Sequence, residues 1–150
     1  TQVIDSYYGA VASRWMKESI VDIKQPLPRL IAGRAFNFIV RFLLGLRFQD
    51  TQCGAKLFKT AAIKKIYPKL GITKWAFDID LLYLMKRNNY KIKEIPIRWH
   101  DTIGSQLNIP KASFEMFLAI IRLRLVYSSF SFIVKAYDLL PEKIKIHHRL

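Results

Sequence analysis

Hydrophobic periodicity along this chain switches repeatedly between a repeat of two and a repeat of about 3.6, which restricts it to folds that interleave strands with helices. Residues 7–15, YYGAVASRW, predict a short buried strand that ends at Ser13-Arg14. Residues 17–28, KESIVDIKQPLP, read as a charged, proline-ended connection. From Arg29 to about Leu44 the apolar positions Phe36, Ile39, Val40 and Leu43 recur at helical spacing, and Gly45 supplies a stop. Residues 60–69 predict a short helix with Thr60 as its cap, residues 71–74 a turn, and residues 77–88 a helix with Phe77, Leu81 and Leu84 on one face. Along residues 90–100, Ile92, Glu94, Pro96 and Arg98 oppose Lys91, Lys93, Ile95, Ile97 and Trp99. That is strand alternation, and Pro96 calls for an edge or a bulge. A loop at 101–110, a long helix from about 111 and a basic tail complete an α/β chain without internal repeats.

The stretch FQDTQCGAKLF, residues 48–58, also sorts as a strand. Asp50, Gln52 and Lys56 fall on one face with Gly54 leaving a gap between them. Thr51, Cys53, Ala55 and Leu57 fall on the other. An acid, an amide and a cation around a hole suit a ligand site, and they equally suit a solvated strand face.

Length and composition bound the function. The 150 residues make one domain's worth of chain, and 51% of them are hydrophobic, enough for a sizeable core. The net charge of +14 calls for an anionic partner: nucleic acid, an anionic membrane surface or a phosphorylated ligand. The single cysteine, Cys53, excludes an internal disulfide and fits a reducing compartment. The N-terminus has neither an initiating Met nor the layout of a signal peptide, which fits a piece of a longer chain. No uncharged apolar run reaches the ~18 residues of a spanning helix. Residues 114–134 come nearest, interrupted by Arg122 and Arg124; they read as a helix lying in a membrane interface or as a buried helix with snorkelling arginines.

Asp78-Ile79-Asp80 is not a metal-binding pair on a helix, because positions i and i+2 point about 200° apart. Asp78 suits the N-terminal end of the helix as a cap, and Asp80 is freer to face a site. Arg14 sits at a strand end, where α/β folds form ligand sites. Arg34, Asn37 and Arg41 fall within about 60° of one another on the helical wheel, with Arg29 well off that stripe. Permanently charged, planar guanidiniums suit phosphate oxygens, although any one of them could simply be solvated. The sequence contains no dinucleotide or phosphate-loop glycine motif, no zinc-protease motif and no nucleophile elbow.

Four segments in this order, ASRW at 12–15, RLIAGRAFNFIVRFLLGL at 29–46, DTQCGAKLF at 50–58 and KWAFDIDLLYLMKRNNYKIKEIPIRWHDTIGSQLN at 74–108, resemble the C-terminal half of the catalytic domain of polyprenyl-phosphate glycosyltransferases. These are the dolichyl-phosphate glucosyl- and mannosyltransferases of glycosyltransferase family 2, and the resemblance covers about residues 7–128. It implies a partial GT-A, Rossmann-like fold: the acceptor half over residues 1–110, followed by an amphipathic interfacial helix and basic tail over 111–150. The implied reaction is inverting transfer of a hexose from UDP-glucose or GDP-mannose to a polyprenyl or dolichyl phosphate at the cytoplasmic face of a membrane, with Mg²⁺ or Mn²⁺ on the donor diphosphate. The opening strand and the metal-binding motif of the family's N-terminal half have no counterpart here, so the metal ligands are expected outside this segment. Asp80 stands where the family commonly has Glu, and Gly104-Ser105-Gln106 where Gly-Ser-Lys is common.

Carried over position by position, the resemblance assigns Arg14 and one arginine of the 29–41 helix to phosphate binding and Ser105 to a loop that closes on the site; helix geometry prefers Arg34 to Arg29, and Ser13, Asn37 and Arg41 complete the candidate substrate- and phosphate-binding set. The resemblance assigns Asp50, Gln52 and Asp80 to the catalytic site. The isolated segment is expected to lack transferase activity and to self-associate through the surface its missing half would cover. A noncatalytic membrane- or partner-binding remnant is the alternative. A nucleic-acid-binding module fits the charge alone, since the basic residues are scattered and no binding motif accompanies them.

Overall fold

The computed structural model describes residues 6–22, 26–71, 76–100 and 109–139. Its centre is strand β1, Gly9–Ser13, whose five residues are all buried. The run GAVAS is small and apolar, as a strand covered on both faces requires. Strand β3, Lys56–Phe58, pairs antiparallel with β1, Gly9 opposite Phe58. Strand β4, Ile92–Pro96, pairs parallel with it from Gly9↔Ile92 to Ser13↔Pro96. Pro96 thus lies on an edge of the β3-β1-β4 sheet, where its missing N–H is tolerated. Gly9 admits the close approach of β3: a Cβ there would lie 2.4 Å from the Phe58 ring and 2.6 Å from the Leu57 carbonyl oxygen.

Beyond Ser13 and Pro96 the segments that follow β1 and β4 bend and pair again as a small parallel ribbon, β2, Ile20–Val21, with β5, Arg98–Trp99. Ser19 holds the bend. Its hydroxyl donates to the Ser13 carbonyl at 2.6 Å and accepts from the Ile97 N–H at 3.2 Å. The segment expected to be a plain connection over 17–28 therefore contains a strand. Its partner is far away in sequence, so the local pattern carries no trace of it.

Helix α1, Leu27–Leu44, starts with prolines before and inside its first turn and ends on Gly45 at φ 63°. Helix α2, Thr60–Ile66, continues into a 3₁₀ turn, Tyr67–Lys69; its N-cap position is Lys59 and carries no side-chain cap, so Thr60 does not serve there. Helix α3, Phe77–Arg87, is buried on all sides from Ile79 to Met85, which makes it an interior helix. Helices α4, Ile109–Val126, and α5, Ser131–Asp138, replace the single long helix expected from 111. Arg122 of α4 holds α5 through Asp138 at 2.8 Å.

One core cluster joins Val11 of β1, Phe36, Val40 and Leu44 of α1, Ile79, Leu82 and Tyr83 of α3, and Ile120 and Leu123 of α4. A second joins Ala62 and Ile66 of α2 to Leu81, Leu84 and Met85. α3 lies between the two, with a face in each. The arrangement is mixed α/β with a small mixed sheet. No described helix is long and apolar enough to cross a membrane.

Candidate functional site

The site forms where β1 ends. Among residues 48–58 only 56–58 are strand; 48–55 run as an irregular segment, contrary to the strand expected from alternation. Asp50, Thr51 and Cys53 are all buried, whereas strict alternation would have put Asp50 on the opposite side from the other two. The reason lies in where the backbone hydrogen bonds go. The Glu94 carboxylate accepts from the N–H of Gln49 (2.8 and 3.0 Å) and of Asp50 (3.0 Å). Asn37 Oδ1 accepts from the N–H and the hydroxyl of Thr51, at 3.3 and 2.9 Å. Asn37 Nδ2 donates to the carbonyls of Phe48 and Gln49, at 3.3 and 2.8 Å. Asp50 accepts from the Gln52 N–H at 3.2 Å. Side-chain oxygens take the N–H groups that a strand ladder would have taken.

Asp50 is fully buried and faces Arg14. Arg14 Nε and Nη2 donate to its two carboxylate oxygens at 2.6 and 2.9 Å, and the Arg14 N–H adds a third bond at 3.1 Å. Such a bidentate pair fixes both groups in plane. The Arg14 side chain is 18% exposed, so the pair reaches the surface through its arginine. Aromatic rings flank it: Arg14 lies 5.8 Å from the Trp15 ring centre and 5.6 Å from that of Trp99. Arg34 covers Trp15 at 4.6 Å. Gly33, one position before Arg34, leaves room for the Trp15 ring, 3.7 Å from where its Cβ would be. Two guanidiniums from separate elements thus meet one indole, an arrangement worth about 1 kcal/mol per contact and suited to an anion.

The other expected site residues divide. Ser13 is buried, its hydroxyl 3.4 Å from the Trp15 N–H. Asn37 is buried, and its amide serves the 48–51 segment. Gln52 is half-buried, its Nε2 3.9 Å from the Met116 sulfur of α4. Arg41 is exposed on α1. Gly54 is exposed, with nothing within 4 Å of the position a Cβ would take. Ser105 lies outside the described residues.

Asp80, expected to be freer to face a site, is fully buried. Its carboxylate accepts from the Gly71 N–H at 2.9 Å and from the Tyr127 hydroxyl at 2.9 Å. Burial, then the neighbouring Asp80 charge, pushes the Tyr127 phenol well above its ordinary range. Asp78 forms no cap; it pairs with Lys56 Nζ at 3.1 Å, and that ammonium also reaches the Cys53 carbonyl. Glu94, Trp15 and Trp99 were not singled out as site residues from the sequence. Glu94 was visible only as one position on an alternating strand, and its partners lie 44 and 45 residues away.

Among the described residues no group of three or more His, Cys, Asp or Glu side chains gathers where a metal ion could sit. These residues therefore do not form a ligand set for the divalent ion that the resemblance implies.

No family model matches the chain, and no solved structure matches it. Curated proteins do. The chain is 40% identical over 106 residues to the dolichyl-phosphate beta-glucosyltransferase of Saccharomyces cerevisiae, 70% of this chain and 31% of that protein. It is 36% identical over 104 residues to the protein of that name from Dictyostelium discoideum, 69% of this chain and 32% of the relative. It is 38% identical over 91 residues to the one from Homo sapiens, 61% of this chain and 28% of the relative. The chain spans about a third of the length of the first two. On this similarity the chain belongs to the dolichyl-phosphate glycosyltransferase family.

Proposed function

We propose that this chain supplies the acceptor side of a GT-A-type glycosyltransferase that moves glucose from UDP-glucose to a dolichyl or related polyprenyl phosphate at a membrane surface. The names of the relatives favour glucose over mannose and a β-linked product. In the proposed reaction an oxygen of the lipid phosphate attacks C1 of the sugar from the face opposite UDP. The new C1–O bond forms as the bond to UDP breaks, with inversion, and UDP leaves with the electron pair. Any divalent ion on the donor diphosphate belongs, in this proposal, to residues outside those described.

The observation that carries the reading is the meeting of Arg14 and Arg34 at Trp15 beside buried Asp50. A lipid phosphate is anionic at neutral pH and needs no strong base. The barrier lies in bringing two anions together, and fixed guanidiniums lower it. Asp50 accepts four hydrogen bonds, from Arg14 N, Nε and Nη2 and from Gln52 N, an arrangement that suits orienting Arg14 better than proton abstraction. The outer face of α1 favours a membrane-surface acceptor: Leu27, Ile31, Phe38 and Phe42 are 65, 58, 70 and 79% exposed, with Arg34 and Arg41 alongside.

The test is a chimaera in which residues 7–128 replace the matching stretch of the yeast relative. The expected result is glucose transfer from UDP-glucose to dolichyl phosphate, reduced about 100-fold or more by Arg14→Ala. A folded chimaera that is inert with both UDP-glucose and GDP-mannose would sink the proposal and favour a noncatalytic membrane-binding role.

A further inference from the structure

We propose that Glu94 is a positioning residue for the Arg14–Asp50 pair, acting through two backbone N–H groups rather than through either side chain. The four consecutive amides of Gln49, Asp50, Thr51 and Gln52 all donate to side-chain oxygens: the first two to Glu94, the third to Asn37, the fourth to Asp50 itself. Glu94 stands on the edge strand β4, paired through β1 with Val11, three residues before Arg14. Asn37 holds the same segment from α1. The segment is thus clamped between a strand and a helix. Its one carboxylate, Asp50, can meet Arg14 at 2.6 and 2.9 Å only while its own backbone is held at that distance.

Glu94 is half-buried and differs from an ion-paired acid in how it is used. Among the described residues no cation pairs with it; its three hydrogen bonds come from the N–H groups of residues 49 and 50. A single oxygen, Oε1, takes one bond from each amide, at 2.8 and 3.0 Å. A neutral glutamine keeps that oxygen. The relevant property is therefore an acceptor at that reach, and Glu94→Gln preserves it while Glu94→Ala and the shorter Glu94→Asp remove it. A role through negative charge, or through fold stability alone, makes a different forecast.

The functional consequence rests on the acceptor-side reading of Arg14 and Asp50; the geometric one does not. The experiment has one arm for each. In the 150-residue chain, the side-chain Nε–H of Arg14 is observed by ¹⁵N NMR, assigned by its loss in Arg14→Lys, with the Leu82 amide in α3 as a remote core reference. Glu94→Ala is expected to speed Arg14 Nε–H exchange about tenfold or more while the Leu82 amide is unmoved, with Glu94→Asp giving the same pattern should the alanine variant not fold, and Glu94→Gln is expected to match the parent. In the chimaera, the same alanine change is expected to raise KM for the lipid phosphate about tenfold with KM for UDP-glucose unchanged, and glutamine is expected to restore it. Unchanged Arg14 exchange in Glu94→Ala, equal acceleration at Leu82, or failure of glutamine to restore the parent would each overturn the proposal. An inert chimaera with the NMR pattern intact would count against the acceptor-side reading and leave the positioning role standing.

Discussion

Among the described residues two aspartates are fully buried, and they are held in opposite ways. Asp50 sits in the irregular segment at the end of β1 and faces a permanently charged partner that reaches the surface. Asp80 sits on the interior helix α3 and faces a phenol and a backbone N–H among its partners. Burial alone therefore does not separate a site carboxylate from a structural one. What separates them is the partner: the guanidinium of Arg14 joins a second guanidinium at Trp15, whereas Tyr127 ties α3 to the end of α4. The first arrangement leaves cationic surface next to the buried acid. The second closes the core around it.

Removing a partner should expose the difference most strongly. Arg14→Ala leaves the Asp50 carboxylate buried without its cation and is expected to cost about 3 kcal/mol or more in urea unfolding. Asp80→Asn keeps one oxygen for the Gly71 N–H and turns its amide NH2 to the Tyr127 hydroxyl, which can accept, and is expected to cost about 1 kcal/mol. Equal losses would break the contrast. Tyr127→Phe removes one bond to Asp80 and should also cost about 1 kcal/mol at neutral pH.

The pH dependence sharpens the comparison at the Asp80 end. The folded-state pKa of Tyr127 is raised, by burial first and by Asp80 second. Its contribution to stability is therefore fully present below the unfolded value of about 10 and is lost as pH rises above it. Subtracting the Tyr127→Phe unfolding curve from that of the parent should give a difference that shrinks above about pH 10. A difference that stays flat to higher pH would mean that neither burial nor the carboxylate raises the phenol. An effect of similar size is expected at the ligand end. With liposomes carrying a polyprenyl phosphate, Arg34→Ala should weaken phosphate-dependent flotation by about 1 kcal/mol, and Tyr127→Phe should leave it unchanged. Flotation that ignores the lipid phosphate and falls uniformly with salt would assign the binding to net charge alone.

Much of the framework was legible before any coordinates. The run GAVAS marked β1, and α1 was bounded by its apolar spacing and by Gly45. The segments around Ser13-Arg14, Asp50-Thr51-Gln52 and Pro96-Ile97-Arg98-Trp99 carried the family resemblance that the curated relatives bear out. The stretch around Asp50 misled because alternation of small and polar residues reads as a strand wherever the ladder partners are not in view. Its amides go instead to Asn37, 14 residues away, and to Glu94, 44 and 45 residues away. The same holds for β2, whose partner β5 lies beyond α3, and for Asp80, whose Tyr127 lies 47 residues on.

By itself, then, the sequence determined where helices and strands can form, that the chain is α/β and cationic, and which family it joins, because periodicity and motif order are properties of neighbours along the chain. Only the tertiary structure decided which buried acid meets a guanidinium and which meets a phenol. Those bonds join residues 36 and 47 positions apart, and nothing local distinguishes one Asp from the other until the chain has folded.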